Sequence, residues 1–83
     1  MKIQVRYFAS LREALGAAEA VEMPVGSSVA ALRDVLLALG GRHKELLARG
    51  RAVRMALDQT LCDESALLSD GVEVAFFPPV TGG

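Results

Sequence analysis

Val72-Glu73-Val74-Ala75-Phe76-Phe77-Pro78-Pro79-Val80-Thr81-Gly82-Gly83 is the stretch whose reading decides the fold. Its first six residues alternate. Val72, Val74 and Phe76 share one face, and Glu73, Ala75 and Phe77 the other, which predicts a half-buried strand whose wet face holds Glu73. Two prolines end it, because proline donates no backbone N–H and belongs in neither a helix interior nor a central strand. Two glycines follow. One reading is a frayed end with no role, since glycine contributes no side chain and loses the most backbone entropy on ordering. The other is a slim tail that enters a narrow site on another protein, with the Gly83 carboxylate as the reacting group.

Phe77 is an aromatic residue on the polar face of its strand, and the start of the chain repeats the oddity. From Lys2 to Ala9, Ile3, Val5 and Tyr7 alternate with Lys2, Gln4, Arg6 and Phe8, which predicts a second half-buried strand with Phe8 on its polar side. If these two strands pair at the centre of a sheet, Phe8 and Phe77 come together on an open face, and Leu61 from a short strand at Thr60 to Cys62 joins them. Each large apolar side chain left in water forgoes roughly 1.5–3 kcal/mol of burial, so such a cluster is better explained as a docking surface than as a second core.

The intervening chain supplies the other elements. Ser10-Leu11-Arg12-Glu13 has capping-box spacing and Gly16 a stop, predicting a short helix. Ala18 to Val25 reads as a strand, with Pro24 at its end. Ser27 or Ser28 caps the clearest helix, Val29 to Leu39, where Val29, Leu32, Leu36 and Leu39 share a face that Val35 and Leu37 widen, and Gly40-Gly41 ends the run. Arg42 to Gly50 is a short helical or irregular connection. Ala52 to Leu57 alternates as a strand, Asp58-Gln59 turns, Ser65 to Leu68 makes a brief helical turn, and Ser69-Asp70-Gly71 turns into the last strand. The expected architecture is an α+β roll of the β-grasp kind: a mixed sheet of four to five strands covered by one main helix. Residues 1–77 form the domain and residues 78–83 a flexible, extended Gly-Gly tail.

With 83 residues, one small core is expected. Apolar residues make up 52% of the chain, which argues against disorder and leaves apolar surface for a partner. A net charge of −1 gives no general attraction to nucleic acid or anionic membrane. No apolar run reaches the roughly 18 residues of a membrane span, and the N-terminus lacks a signal-peptide core, so a cytoplasmic protein is expected. Cys62 is the single cysteine and reads as a small apolar filler. His43 has no second ligand at metal spacing and is expected at the surface, and no metal site is expected. No catalytic set, P-loop or dinucleotide fingerprint is present, and Glu13, Glu19 and Glu22 read as cap and solvent groups. The chain is not expected to catalyse a reaction alone.

The motifs together resemble a known family. Asp70-Gly71-Val72-Glu73-Val74-Ala75-Phe76-Phe77-Pro78-Pro79-Val80-Thr81-Gly82-Gly83, Tyr7-Phe8-Ala9 with Leu11-Arg12-Glu13, and Asp58-Gln59-Thr60-Leu61 are similar to the small, sulfur-carrying subunits of molybdopterin synthase, a ubiquitin-like β-grasp family. The resemblance spans the whole chain. It implies that a ubiquitin-activator-like adenylating enzyme uses ATP to activate Gly83, and that a sulfur donor converts it to a thiocarboxylate. The tail residues Val80, Thr81, Gly82 and Gly83 would then enter the large synthase subunit and give sulfur to cyclic pyranopterin monophosphate. It further implies that Phe8, Leu61 and Phe77 bind partners, that two small and two large subunits form a heterotetramer, and that this chain binds no cofactor of its own.

Two alternatives remain from sequence. A carrier for thiamine or tRNA thiolation, or a protein modifier, would share the fold and the Gly-Gly end, though Phe-Phe-Pro-Pro favours the molybdopterin branch. A plain interaction module would instead use the basic stretch Arg42 to Arg54 to bind RNA, with salt-dependent retention as its mark. A solvated charged face is the simpler account of that stretch.

Overall fold

β1 (Lys2–Tyr7) and β5 (Glu73–Phe77) run parallel, side by side, at the centre of a five-stranded sheet in the computed structural model, which describes residues 1–79. β2 (Ala18–Glu22) pairs antiparallel on the far side of β1. β3 (Arg54–Leu57) pairs antiparallel with β5, and β4 (Thr60–Cys62) closes the other edge, giving the order β2-β1-β5-β3-β4. A parallel central pair requires a long crossover between its strands, and the whole middle of the chain supplies it. α1 (Ala9–Leu15), α2 (Val29–Ala38) and α3 (Gly41–Leu47) lie within that crossover. This is the β-grasp arrangement, a mixed sheet folded around one principal helix.

Alternation along the two central strands sets which face is dry. Ile3, Val5, Tyr7, Val74 and Phe76 are buried against Val29, Leu32 and Leu36 of α2, with Leu11 from α1 and Leu47 from α3 completing the core. The Tyr7 and Phe76 rings stack at a centroid distance of 6.1 Å. The N-cap of α2 is Ser28, whose Oγ accepts the Ala31 N–H at 3.2 Å. Gly40 carries φ 72°, a left-handed turn that most side chains resist, and it separates α2 from α3. Asp58 and Gln59 both take positive φ, 45° and 70°, and form the two-residue turn of the β3–β4 hairpin.

The structure departs from the sequence reading at several places. α1 starts at Ala9 rather than behind a Ser10 cap, and no side chain caps it. The Phe8 N–H is bonded to the Phe76 carbonyl at 3.1 Å, so the chain leaves the sheet at Phe8, whose own carbonyl accepts from Leu11 and Arg12. Leu39 and Val35, expected in the apolar stripe of α2, are 58% and 40% exposed. In their place Arg33 turns inward, 4% exposed, and its Nε donates to the Leu47 carbonyl at 2.7 Å and its Nη2 to the Ala48 carbonyl at 3.1 Å. The carbonyls at the end of α3 need donors, and this guanidinium meets them. Residues 65–68 form no helical turn. Ala66 closes a turn onto the Asp63 carbonyl, and Leu67 bridges to Ser28.

Candidate docking face at the root of the tail

Strand register places the open-face residues in rows, because directly paired residues point their side chains to the same side of a sheet. Arg6 lies opposite Ala75, Ala75 opposite Ala56, and Ala56 opposite Leu61, so one row crosses four strands. In the next row Phe77 lies opposite Arg54. Phe8 stands one residue beyond β1, held beside the end of β5 by its N–H bond to Phe76. The result is one hollow of about 650 Å³ whose lining includes Phe8, Leu61 and Phe77. Ala56 and Ala75, too small to fill the space between the larger side chains, leave it open. Pro78 also lines the hollow, so the first residue after β5 sits at its edge.

The three apolar residues flagged from sequence are thus brought together from the two ends and the middle of the chain. Leu61 is 64% exposed, whereas Phe8 and Phe77 are half-buried. Alternation did not single out Arg6 and Glu73, although both lie within the hollow. The Arg6 guanidinium carbon is 5.2 Å from the centre of the Phe8 ring, and its Nη1 is 3.4 Å from Glu73 Oε1. A cation over an aromatic face and a carboxylate beside it fix the orientation of Phe8 and cancel charge locally. Their signal was present in the sequence, since both occupy the same alternating positions as Phe8 and Phe77. The other four candidate residues, Val80, Thr81, Gly82 and Gly83, lie outside the described residues.

On the covered side of the sheet, a polar group missed from sequence ties β1 and β2 to α3. Glu19 Oε2 accepts the Tyr7 hydroxyl at 2.7 Å and lies 2.8 Å from His43 Nε2, while the Tyr7 and His43 rings meet edge to face at 6.2 Å. His43 is therefore a half-buried partner of Glu19 and not a free surface residue, and Glu19 is more than a solvent group. Burial, with the Glu19 carboxylate beside it, drives the Tyr7 hydroxyl far above its ordinary pKa. The basic stretch is also less available than its composition suggests. Arg49 is engaged by Asp34 and Glu64 and by the Ala30 carbonyl.

Burial, reinforced by Asp63, pushes the Cys62 thiol up from its ordinary value and so disfavours the reactive thiolate. No three metal-ligating side chains gather among the described residues, and no helix there is long and apolar enough to cross a membrane.

The chain is similar to known proteins in both sequence and fold. Residues 5–83 match the model of the ThiS family. The molybdopterin synthase sulfur carrier subunit of Escherichia coli strain K12 is 43% identical over 82 residues, covering 98% of this chain and 99% of that protein. A putative molybdopterin converting factor subunit 1 from Pyrococcus furiosus superposes with a TM-score of 0.79 at 28% identity, over 96% of this chain and 99% of that one. A chain from the complex of subunits 1 and 2 of the molybdopterin-converting factor of Helicobacter pylori superposes with a TM-score of 0.71 at 27% identity, over the full length of both. The chain belongs to the ThiS family of ubiquitin-like β-grasp proteins, alongside the molybdopterin synthase sulfur carrier subunits.

Proposed function

We propose that this chain is the sulfur carrier of molybdenum cofactor biosynthesis and donates sulfur as a thiocarboxylate on Gly83. The observation that carries the reading is the hollow itself. Phe8, Leu61 and Phe77 converge at the point where the chain leaves β5 for the tail, which is where a partner that takes up the tail would grip the domain. The full-length likeness to sulfur carrier subunits supports the same conclusion.

A carboxylate with a pKa near 3.5 is ionised at neutral pH and is a poor electrophile, so it needs activation before sulfur can replace oxygen. An adenylating enzyme supplies it: the Gly83 carboxylate attacks the α-phosphate of ATP, pyrophosphate leaves, and an acyl-adenylate forms. A sulfur donor then displaces AMP to give the thiocarboxylate. Glycine leaves this carbonyl unhindered. The six residues after Phe77 reach at most roughly 20 Å when extended, enough to cross a channel in the large subunit of molybdopterin synthase. Pro78 and Pro79 stiffen the root and reduce the entropy lost on insertion. Within that site the softer, more nucleophilic sulfur attacks cyclic pyranopterin monophosphate to form a thioester. A water molecule then cleaves the acyl–sulfur bond and returns the Gly83 carboxylate, and exclusion of bulk water limits hydrolysis before transfer. Two such transfers build a dithiolene. The large subunit supplies the pterin-binding and acid–base groups, and two small and two large subunits assemble in the cytoplasm.

Intact mass after incubation with ATP, a sulfur donor and the adenylating enzyme tests the reading. One oxygen-to-sulfur exchange, localised to Gly83, is expected. Deleting Gly83, or adding a residue after it, is expected to abolish sulfur transfer while the melting temperature stays at the wild-type value. Full activity of either variant with the cognate large subunit would sink the carrier assignment. An exchange at Gly83 that feeds only thiamine or tRNA thiolation would keep the chemistry and change the acceptor.

A further inference from the structure

Charge on the docking face is unevenly compensated. Arg6 is neutralised by Glu73 and stacked on Phe8. Arg54 lies directly opposite Phe77 in the β3–β5 ladder, so both side chains rise from the same face, with Cβ atoms roughly 4.5–5.5 Å apart. It is exposed, outside the lining of the hollow, and takes part in no ion pair among the described residues. The acidic groups nearest in the ladder are out of reach. Glu73 stands four residues along β5 from Phe77, about 13 Å at 3.3 Å per residue, and Asp58 lies in the turn beyond the far end of β3 from Arg54. Glu73 is also committed to Arg6, and the Asp58 carboxylate accepts the Glu73 N–H at 3.0 Å.

An uncompensated guanidinium at the edge of an apolar hollow is costly to cover with an apolar surface, because its water must be removed without a replacement partner. The surface that covers Phe77 must therefore leave Arg54 in water or offer it an anion. We propose that Arg54 is a specificity residue of the docking face, and that the large synthase subunit meets it with an aspartate or glutamate side chain. The planar guanidinium fork matches a carboxylate through two parallel hydrogen bonds, and an acidic group at the rim steers the two proteins into register before the aromatic contacts close. The inference rests on the docking reading given above. It adds a property of the partner, a carboxylate at the rim, that the apolar residues do not imply.

Stopped-flow association of the full chain with its large subunit, over a salt series, tests it. At low salt Arg54→Glu is expected to slow association by about tenfold and Arg54→Leu by about threefold, with dissociation little changed. The curves should converge with wild type near 1 M salt, where the screening length is about 3 Å. Replacing the matching acid on the large subunit by lysine should restore fast association to Arg54→Glu. Wild-type association of Arg54→Glu at low salt would overturn the proposal, as would an effect confined to the adenylating enzyme or to RNA. Phe77→Ala, measured in parallel, separates the two levels. If it fails to speed dissociation, the docking reading itself falls. If it does so while the Arg54 variants behave as wild type, only the charge assignment falls. Because Arg54 is exposed, both of its variants should keep the wild-type melting temperature.

Discussion

Phe76 and Phe77 are adjacent, identical in chemistry and opposite in setting. Phe76 points to the helix side of β5, is fully buried and stacks on Tyr7. Phe77 points to the other side, is half-buried, and shares an open hollow with Phe8 and Leu61. The period-two geometry of a strand alone produces the difference, and with it two separable functions. One face holds the domain together, and the other is the face proposed above to meet a partner. Because the faces share a backbone and few side-chain contacts, changes on one should be felt mainly as stability and changes on the other mainly as binding.

The largest stability effect should come from Phe76→Ala. Removing a fully buried ring costs about 3–5 kcal/mol, a large part of what so small a domain has, and chemical denaturation should show a collapsed midpoint. Loss comparable to that at Phe77 would dissolve the distinction between the faces. Arg33→Met should follow at about 2–3 kcal/mol, because the Leu47 and Ala48 carbonyls lose their donors in a buried setting. Arg33→Lys should recover only part of this, since one ammonium cannot reproduce the fork. Neither change is expected to alter affinity for the large subunit. If affinity fell with stability intact, α2 would belong to the recognition surface.

Tyr7→Phe sharpens the same line from the covered side. Its hydroxyl donates to Glu19, and loss of that bond should cost about 1 kcal/mol. The folded state holds the phenolic proton more tightly than the unfolded chain does, because burial and then Glu19 raise its pKa above 10.0. Its contribution is therefore complete below pH 10.0 and is lost as pH rises beyond that value toward the raised folded one. Urea midpoints measured on both sides of that value should fall more steeply in wild type than in Tyr7→Phe. Parallel alkaline slopes would show that the phenol titrates alike in both states.

Strand content and the convergence of Phe8, Leu61 and Phe77 on one open face were legible because both depend on alternation. Two aromatic residues out of phase with their strands pointed to the open face, and pairing of the terminal strands brought them together. Three things were not legible. Arg33 lies at an unremarkable position of α2, and only the placement of α3 reveals that the end of that helix needs a donor. His43 looked solvated because its sequence neighbours are charged, whereas its partner Glu19 lies 24 positions away. The start of α1 was misplaced because the Phe8 N–H is claimed by a strand nearly seventy residues later, and local capping signals carry no information about that bond.

Phe77→Ala gives a stability change as small as that of Tyr7→Phe and is the most discriminating variant. A half-buried ring already meets water over part of its surface, so its removal forfeits less burial and leaves no closed cavity, and the cost should be about 1 kcal/mol, below that of Phe76→Ala. Binding should respond differently. An aromatic residue central to an apolar hollow behaves as an anchor, and truncation of such residues commonly costs 2 kcal/mol or more in a complex, roughly a thirtyfold loss of affinity seen as faster dissociation. Calorimetry with the large subunit beside a thermal melt of the free chain measures both. A collapsed melting temperature with unchanged affinity would assign Phe77 to the core, and the hollow would then be a gap in packing instead of a place for a partner.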